Sequence, residues 1–188
     1  MYAIKTTNLT KKYKDKTVVN SLNLMVKKGE LYALLGINGA GKTTTIKMLC
    51  GLVPPTSGDA YLIGSSIVSN HTKVKQLINV SPQETAVAQK LSVRENLELI
   101  AKIYGADRKS AKNRADSMIE KFDMQEIAKN RAKTLSGGWQ RRLSIAMALI
   151  SDPEILFLDV NCSNPLGCVF CVSSIEKEMG VTAYTKER

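Results

Sequence analysis

Eight consecutive residues, Gly36-Ile37-Asn38-Gly39-Ala40-Gly41-Lys42-Thr43, satisfy the spacing G-x-x-x-x-G-K-[ST] at each fixed position. Loops of this kind bind phosphate for a physical reason. Glycines let backbone N–H groups turn inward around phosphate oxygens, and a helix that follows aims the positive end of its dipole at the same point. Lys42 is expected to reach the β- and γ-phosphates of a nucleotide and Thr43 to offer its hydroxyl to Mg²⁺, with Thr44 close by. Gly36, Asn38, Gly39, Ala40 and Gly41 form the cradle itself. The context agrees, because the apolar run Leu31 to Leu35 precedes the loop and a helix-compatible segment, Thr44 to Leu49, follows it.

A second glycine motif lies about ninety residues on. Leu135-Ser136-Gly137-Gly138-Trp139-Gln140-Arg141-Arg142 opens a helical segment in which Leu135, Trp139, Arg142 or Leu143, Ala146 and Ile150 share a face. Ser136, Gly137 and Gly138 at a helix start leave unpaired N–H groups at a positive dipole end, a second place for an anion. One chain thus carries two phosphate-seeking helix ends. The first grips phosphate from its own chain; the second can face a neighbour's nucleotide.

These loops need a scaffold, and the periodicity supplies one. The opening reads as β-type runs, Tyr2 to Thr7 and Val18 to Val26, separated by the turn Lys14-Asp15-Lys16. Leu31 to Leu35 reads as a strand buried on both faces, as in a parallel sheet. Ala60 to Ile63 and Leu77 to Val80 read as further strands. From Leu91 the period becomes helical: Ser92 and Glu95 have capping-box spacing, Val93, Leu97, Ile100 and Tyr104 mark one face, and Gly105 stops the segment. Asp107 caps a second helix with Ala111, Ala115, Met118 and Phe122 on its stripe. The expectation is an α/β domain with a helical insert at about 86–134.

Composition narrows the class. A chain of 188 residues with 44% hydrophobic and 23% charged content suits one globular domain, and 27 Lys+Arg against 17 Asp+Glu leave a formal charge of +10. That sign favours anionic partners. The basic residues are scattered without interleaved aromatics, which suits solvated faces near an anionic membrane rather than nucleic acid. With no long apolar stretch and no leader-like start, the chain is expected in the cytoplasm. Cys50, Cys162, Cys168 and Cys171 read as reduced thiols, and C-x5-C-x2-C lacks the fourth ligand that structural zinc wants.

From about residue 2 to residue 159 the sequence resembles the ATP-binding subunits of ABC transporters. Gly36 to Thr44 matches the Walker A loop, Leu135 to Trp139 the LSGGQ signature with Trp in the fifth place, and Ile155-Leu156-Phe157-Leu158-Asp159 resembles Walker B. Gln83 stands at the Q-loop position and Tyr13 where the family stacks an aromatic ring on adenine. Leu91 to Leu97 is similar to the helical subdomain of exporter-type members, which suggests a multidrug or ABC-2-type branch. The resemblance implies a P-loop NTPase (RecA-like) core with an antiparallel β subdomain and an α-helical insert. It implies ATP held with Mg²⁺ by Thr43, Gln83 and Asp159, and Gln83 and Asp159 as the catalytic-site pair. It also implies a head-to-tail dimer of cassettes, a separate transmembrane permease and a place on the inner face of the cell membrane.

The resemblance stops at Asp159. The family continues with a glutamate that polarises the attacking water and then a D-loop, whereas this chain continues Val160-Asn161-Cys162-Ser163-Asn164. Valine accepts no proton. The sole histidine, His71, precedes Gln83 and cannot be the family's switch histidine; it reads as a surface loop residue. Residues 160–188 are therefore expected to be an atypical tail, with Leu166 to Val172 as a makeshift strand and the C-terminal part of the core missing. Walker B is expected to keep an unpaired edge and an uncovered face. Weak nucleotide binding with impaired hydrolysis follows, and the alternative is a non-catalytic or truncated protein that binds nucleotide or permease without turnover.

Overall fold

The β-type runs near the N-terminus fold as three strands, β1 (Tyr2–Tyr13), β2 (Lys16–Leu22) and β3 (Met25–Lys27), in a computed structural model that describes residues 1–81, 87–160 and 168–173. β1 pairs antiparallel with β2, with β3 and with β5 (Ser57–Leu62), and β5 carries β6 (Ser65–Ser66) on its far side. Ala3, Ile4, Thr6 and Leu9 of β1 are buried without strict alternation, in a strand whose pairings carry several register shifts.

A second sheet carries the loops. It runs in the order β4 (Leu31–Leu35), β9 (Cys168–Ser173), β8 (Ile155–Val160), β7 (Ile78–Ser81). Here two expectations are corrected. β4 is not a strand buried on both faces of a parallel sheet: it is an edge strand paired antiparallel with β9, with Leu31 49% and Leu35 63% exposed. Nor does β8 keep a free edge, since β7 pairs it parallel on one side and β9 antiparallel on the other. Both of its faces are buried, with Ile155, Leu156 and Phe157 fully enclosed. The reason is chain length. Seven residues separate Val160 from Cys168, too few for the dozen or more of a parallel crossover, so the chain turns back and fills the gap antiparallel. The open edge passes from β8 to β4.

Five α-helices and one 3₁₀ turn (Ala132–Thr134) complete the described chain: α1 (Lys42–Leu49), α2 (His71–Leu77), α3 (Val93–Ile103), α4 (Arg108–Lys121) and α5 (Gly137–Leu149). α2 corrects the reading of His71, which is exposed but opens a helix rather than lying in a loop. None of the described helices is long and apolar enough to cross a membrane. The described residues fall into two compact units, 1–81 with 153–160 and 168–173, and 87–152. In the first, Ile4, Leu9, Val26, Met48, Leu49, Leu62, Ile155 and Phe157 share one buried cluster, which joins α1 to both sheets.

The second unit contains α3, α4 and α5. The capping box predicted at Ser92 is present: Ser92 N–H donates to Glu95 Oε2 at 2.7 Å and Glu95 N–H to Ser92 Oγ at 3.2 Å. Asp107 likewise caps α4. Val93, Leu97 and Ala101 are buried as one stripe, while Tyr104 caps the end of α3 and is 50% exposed, off the face expected for it. Ser92→Ala should destabilise the unit by about 1 kcal/mol in urea unfolding. The hydrogen bonds from Ser92 hold the Glu95 carboxyl below its ordinary range. A depressed carboxylate stabilises above its unfolded value and stops doing so as pH falls through the folded one. In Ser92→Ala the backbone N–H of residue 92 still donates to Glu95 and only the hydroxyl is lost, so the Glu95 titration, followed by NMR, should move only part of the way back up.

Candidate phosphate-binding site

β4 delivers the chain into the glycine loop, and α1 leaves it. Gly39 and Gly41 both take φ +86°, in the left-handed region that favours glycine, and Ala40 N–H donates to Ile37 O at 3.1 Å to close the turn. Gly41 is the N-cap of α1, which has no side-chain cap and no acidic residue in its first turn. The first amides of that helix have no intrahelical acceptor. α3, α4 and α5 answer the same need with Ser92, Asp107 and Ser136. α1, like the shorter α2, has no such cap, and its first amides are open at the glycine loop.

Two contacts fix the loop. A Cβ at Gly41 would stand 2.5 Å from Val18 O and 3.1 Å from Val19 Cγ2, so the loop rests directly on β2. Buried Thr45 bonds back to Gly41 O through its hydroxyl at 3.0 Å. The Lys42 ammonium donates to Gly36 O and, at 3.0 Å, to Ile37 O, which places the cation over the mouth of the loop. Thr43 is exposed and Thr44 half-buried.

Register places Asp159 at the same edge. Leu35 and Val160 both pair with Cys168, and Leu34 and Asp159 both pair with Val169. Two strand spacings separate Asp159 from Leu34, about 10 Å. β7 ends at Ser81, opposite Leu158, so it too leaves the sheet there; Gln83 lies outside the described residues. Tyr13, 46% exposed with Lys11 Nζ 5.0 Å from its ring centroid, pairs with Lys16 on the hairpin whose Val18 carries Gly41. Sequence reasoning missed this buttress, because a backbone carbonyl under a glycine leaves no residue-type signal.

The donors suit Mg²⁺. The exposed hydroxyl of Thr43 at the start of α1 is an oxygen donor of the kind Mg²⁺ takes, and the ion would complete its shell with one or two further protein oxygens, phosphates and water. That is its ordinary coordination. Cys50 is buried, its thiol pushed up to about 12, and takes no part.

In the second unit Ser136 Oγ accepts from Trp139 N–H at 3.5 Å, and Gln140 N–H donates to Ser136 O at 2.9 Å. Gly137 and Gly138 are exposed, with nothing within 4 Å of an added Cβ. Trp139 is half-buried, its ring 4.5 Å from the Arg142 guanidinium carbon. Residue 139 therefore packs along the helix while the two glycines stay open.

The chain is similar to known proteins over most of its length. Residues 19–162 match the family model described as ABC transporter. The linearmycin resistance ATP-binding protein LnrL of Bacillus subtilis is 43% identical over 152 residues, 81% of this chain and 49% of that protein. The bacitracin transport ATP-binding protein BcrA of Bacillus licheniformis is 39% identical over 186 residues, 96% of this chain and 60% of that protein. Among solved structures, cbiO1 of Clostridium perfringens, part of the ABC transporter complex cbiONQ, superposes with a TM-score of 0.76 at 24% identity, over 84% of this chain and 65% of that one. The chain spans about half the length of the curated relatives it matches.

Proposed function

The chain belongs to the ABC transporter family, and on that premise we propose that it binds Mg·ATP as the nucleotide-binding part of an exporter-type transporter. The observation that carries this reading is the uncapped α1 behind a left-handed Gly41, with Lys42 at the mouth of the loop. The amides from Gly39 to Thr44 would hold the phosphates, Lys42 would exchange its two carbonyl partners for phosphate oxygens, and Tyr13 would stack on the base. Mg²⁺, when bound, draws charge from the phosphate oxygens; Thr43, Gln83 and Asp159 would hold it, directly or through water. Ser136, Gly137 and Gly138 would face the nucleotide of a second copy packed head to tail.

The names of the relatives, linearmycin resistance and bacitracin transport, support export through a separate permease, with the chain peripheral on the inner face of the membrane. Val160 stands where the resemblance places the general base, and an alkyl group takes no proton from water. Hydrolysis in this chain is therefore impaired, and it works chiefly by binding.

A fluorescent ATP analogue titrated with Mg²⁺ should give a saturable signal that weakens by about 100-fold in Lys42→Ala, since a charge-assisted contact to phosphate contributes roughly 1.5–3 kcal/mol. A signal unchanged in Lys42→Ala would contradict the assignment.

A further inference from the structure

The β1–β2 hairpin and the segment that follows α1 meet at one ammonium group. Lys11 Nζ donates to Pro54 O at 2.7 Å and lies over the ring of Tyr13, 5.0 Å from its centroid. These are the distances of a charge-assisted hydrogen bond and of a cation–π pair. Lys11 is half-buried, while the tyrosine is 46% exposed. The carbonyl that Lys11 holds is itself fixed. Leu52 N–H and Val53 N–H donate to Lys47 O at 2.9 and 3.2 Å, which ties the segment to the last turn of α1. Two further bonds stitch it to β1, Thr56 N–H to Thr10 O at 2.8 Å and Lys12 N–H to Thr56 Oγ1 at 3.0 Å. Pro55 restricts the backbone of Pro54 as well.

The hairpin therefore touches the α1 segment at both ends. Val18 O lies under Gly41 before the helix, and Lys11 reaches Pro54 after it. The eight-residue helix between them is a stiff spacer about 12 Å long. We propose that Lys11 is the positioning residue for Tyr13: its ammonium, anchored on Pro54 O, covers one face of the ring and leaves the other, at a set distance from the phosphate loop, for a nucleotide base. The base role rests on the ATP-binding reading; the brace itself does not. An exposed tyrosine at the end of a strand loses side-chain freedom when a base stacks on it, and that loss weakens binding. A ring already held by Lys11 has less to lose. The two lysines thus act at different ends of the ligand, Lys42 toward the phosphates and Lys11 toward the base.

Calorimetric titration of the full chain with Mg·ATP and with magnesium tripolyphosphate, which has a phosphate tail and no base, separates these roles. Lys11→Met keeps the length of the side chain and loses its charge and donor. It should bind ATP about fivefold to tenfold more weakly, and tripolyphosphate within about twofold of the unsubstituted chain. Lys11→Arg keeps both contacts and should bind ATP within about threefold. In a Tyr13→Leu background Lys11→Met should weaken ATP no further, because Lys11 acts through the ring. Equal losses for the two ligands, an unchanged ATP affinity, or a loss that persists without the ring overturns the proposal. The brace is also read with no nucleotide and no Lys11 variant. By NMR, the ε-methylene protons of Lys11 should be shifted upfield by the aromatic ring and return to their ordinary position in Tyr13→Leu; unshifted protons in the unsubstituted chain overturn it. A chain that shows the shift and binds neither ligand sinks the nucleotide reading, and the base role of Lys11 with it, while the brace stands, so the two failures are told apart.

Discussion

Val160→Glu should raise ATP hydrolysis by this chain by about 10²-fold or more, within the 10²- to 10⁴-fold range that a positioned general base contributes. The place is suitable. Val160 is the last residue of β8 and pairs with Cys168, which also pairs with Leu35, the residue before the glycine loop. By register, position 160 stands at the end of the sheet from which the phosphate loop springs, one residue beyond Asp159. Phosphate release under saturating Mg·ATP would be compared for the unsubstituted chain, Val160→Glu, and Val160→Glu combined with Lys42→Ala. The double variant should fall back to the starting rate, since a base without a held phosphate has nothing to act on. If Val160→Glu binds labelled ATP and its rate does not move, the missing carboxylate is not what limits turnover, and the assignment of position 160 as the place of the base is overturned.

How much of this was legible in the residues depends on what kind of signal each feature leaves. Ser92, Asp107 and Ser136 were readable as caps because capping is a matter of one side chain and its three-residue reach, and all three cap as the spacing requires. The glycine loop was readable because only glycine tolerates φ +86° at both Gly39 and Gly41. The pairing of β8 was not. The apolar run Leu166 to Val172 suggested a strand, and β9 is one, at Cys168–Ser173, but its direction and neighbours depend on the length of the preceding connection and on which strands want partners. The same holds for β4, whose apolar run is equally compatible with a central and an edge strand. α2 was missed because its seven residues are mostly polar and bury only Val74, leaving almost no periodicity to detect. Lys11 and Val18 were missed for a further reason: their contacts run through main-chain atoms, Pro54 O and Val18 O, and main-chain atoms are the same in every residue.

That last point gives the most discriminating stability experiment, a comparison of Gly41→Ala with Gly39→Ala. The two glycines have the same φ, +86°, and so the same backbone penalty for a side chain, roughly 1–2 kcal/mol. They differ in what a methyl would meet. At Gly39 nothing lies within 4 Å, whereas at Gly41 the new carbon would stand 2.5 Å from Val18 O, closer than real Cβ atoms come to a carbonyl, and 3.1 Å from Val19 Cγ2. Val18 cannot simply yield, because it sits within β2, one residue from Val19, which pairs with Lys11 of β1 and is itself 7% exposed. Overpacking of that kind typically adds about 1–3 kcal/mol. Gly41→Ala should therefore lower the urea stability of the chain by about 2–5 kcal/mol, and Gly39→Ala by only the 1–2 kcal/mol of strain. The ligand result should diverge as well. Relief of the clash has to lift the N-cap of α1 away from β2, which carries the amides of Lys42 and Thr43 out of place, so labelled ATP should bind at least about tenfold more weakly to Gly41→Ala, equivalent to some 1.4 kcal/mol of lost contact. Equal losses of stability in the two variants would show that φ alone governs both positions, and that the seat on Val18 contributes nothing to holding the loop.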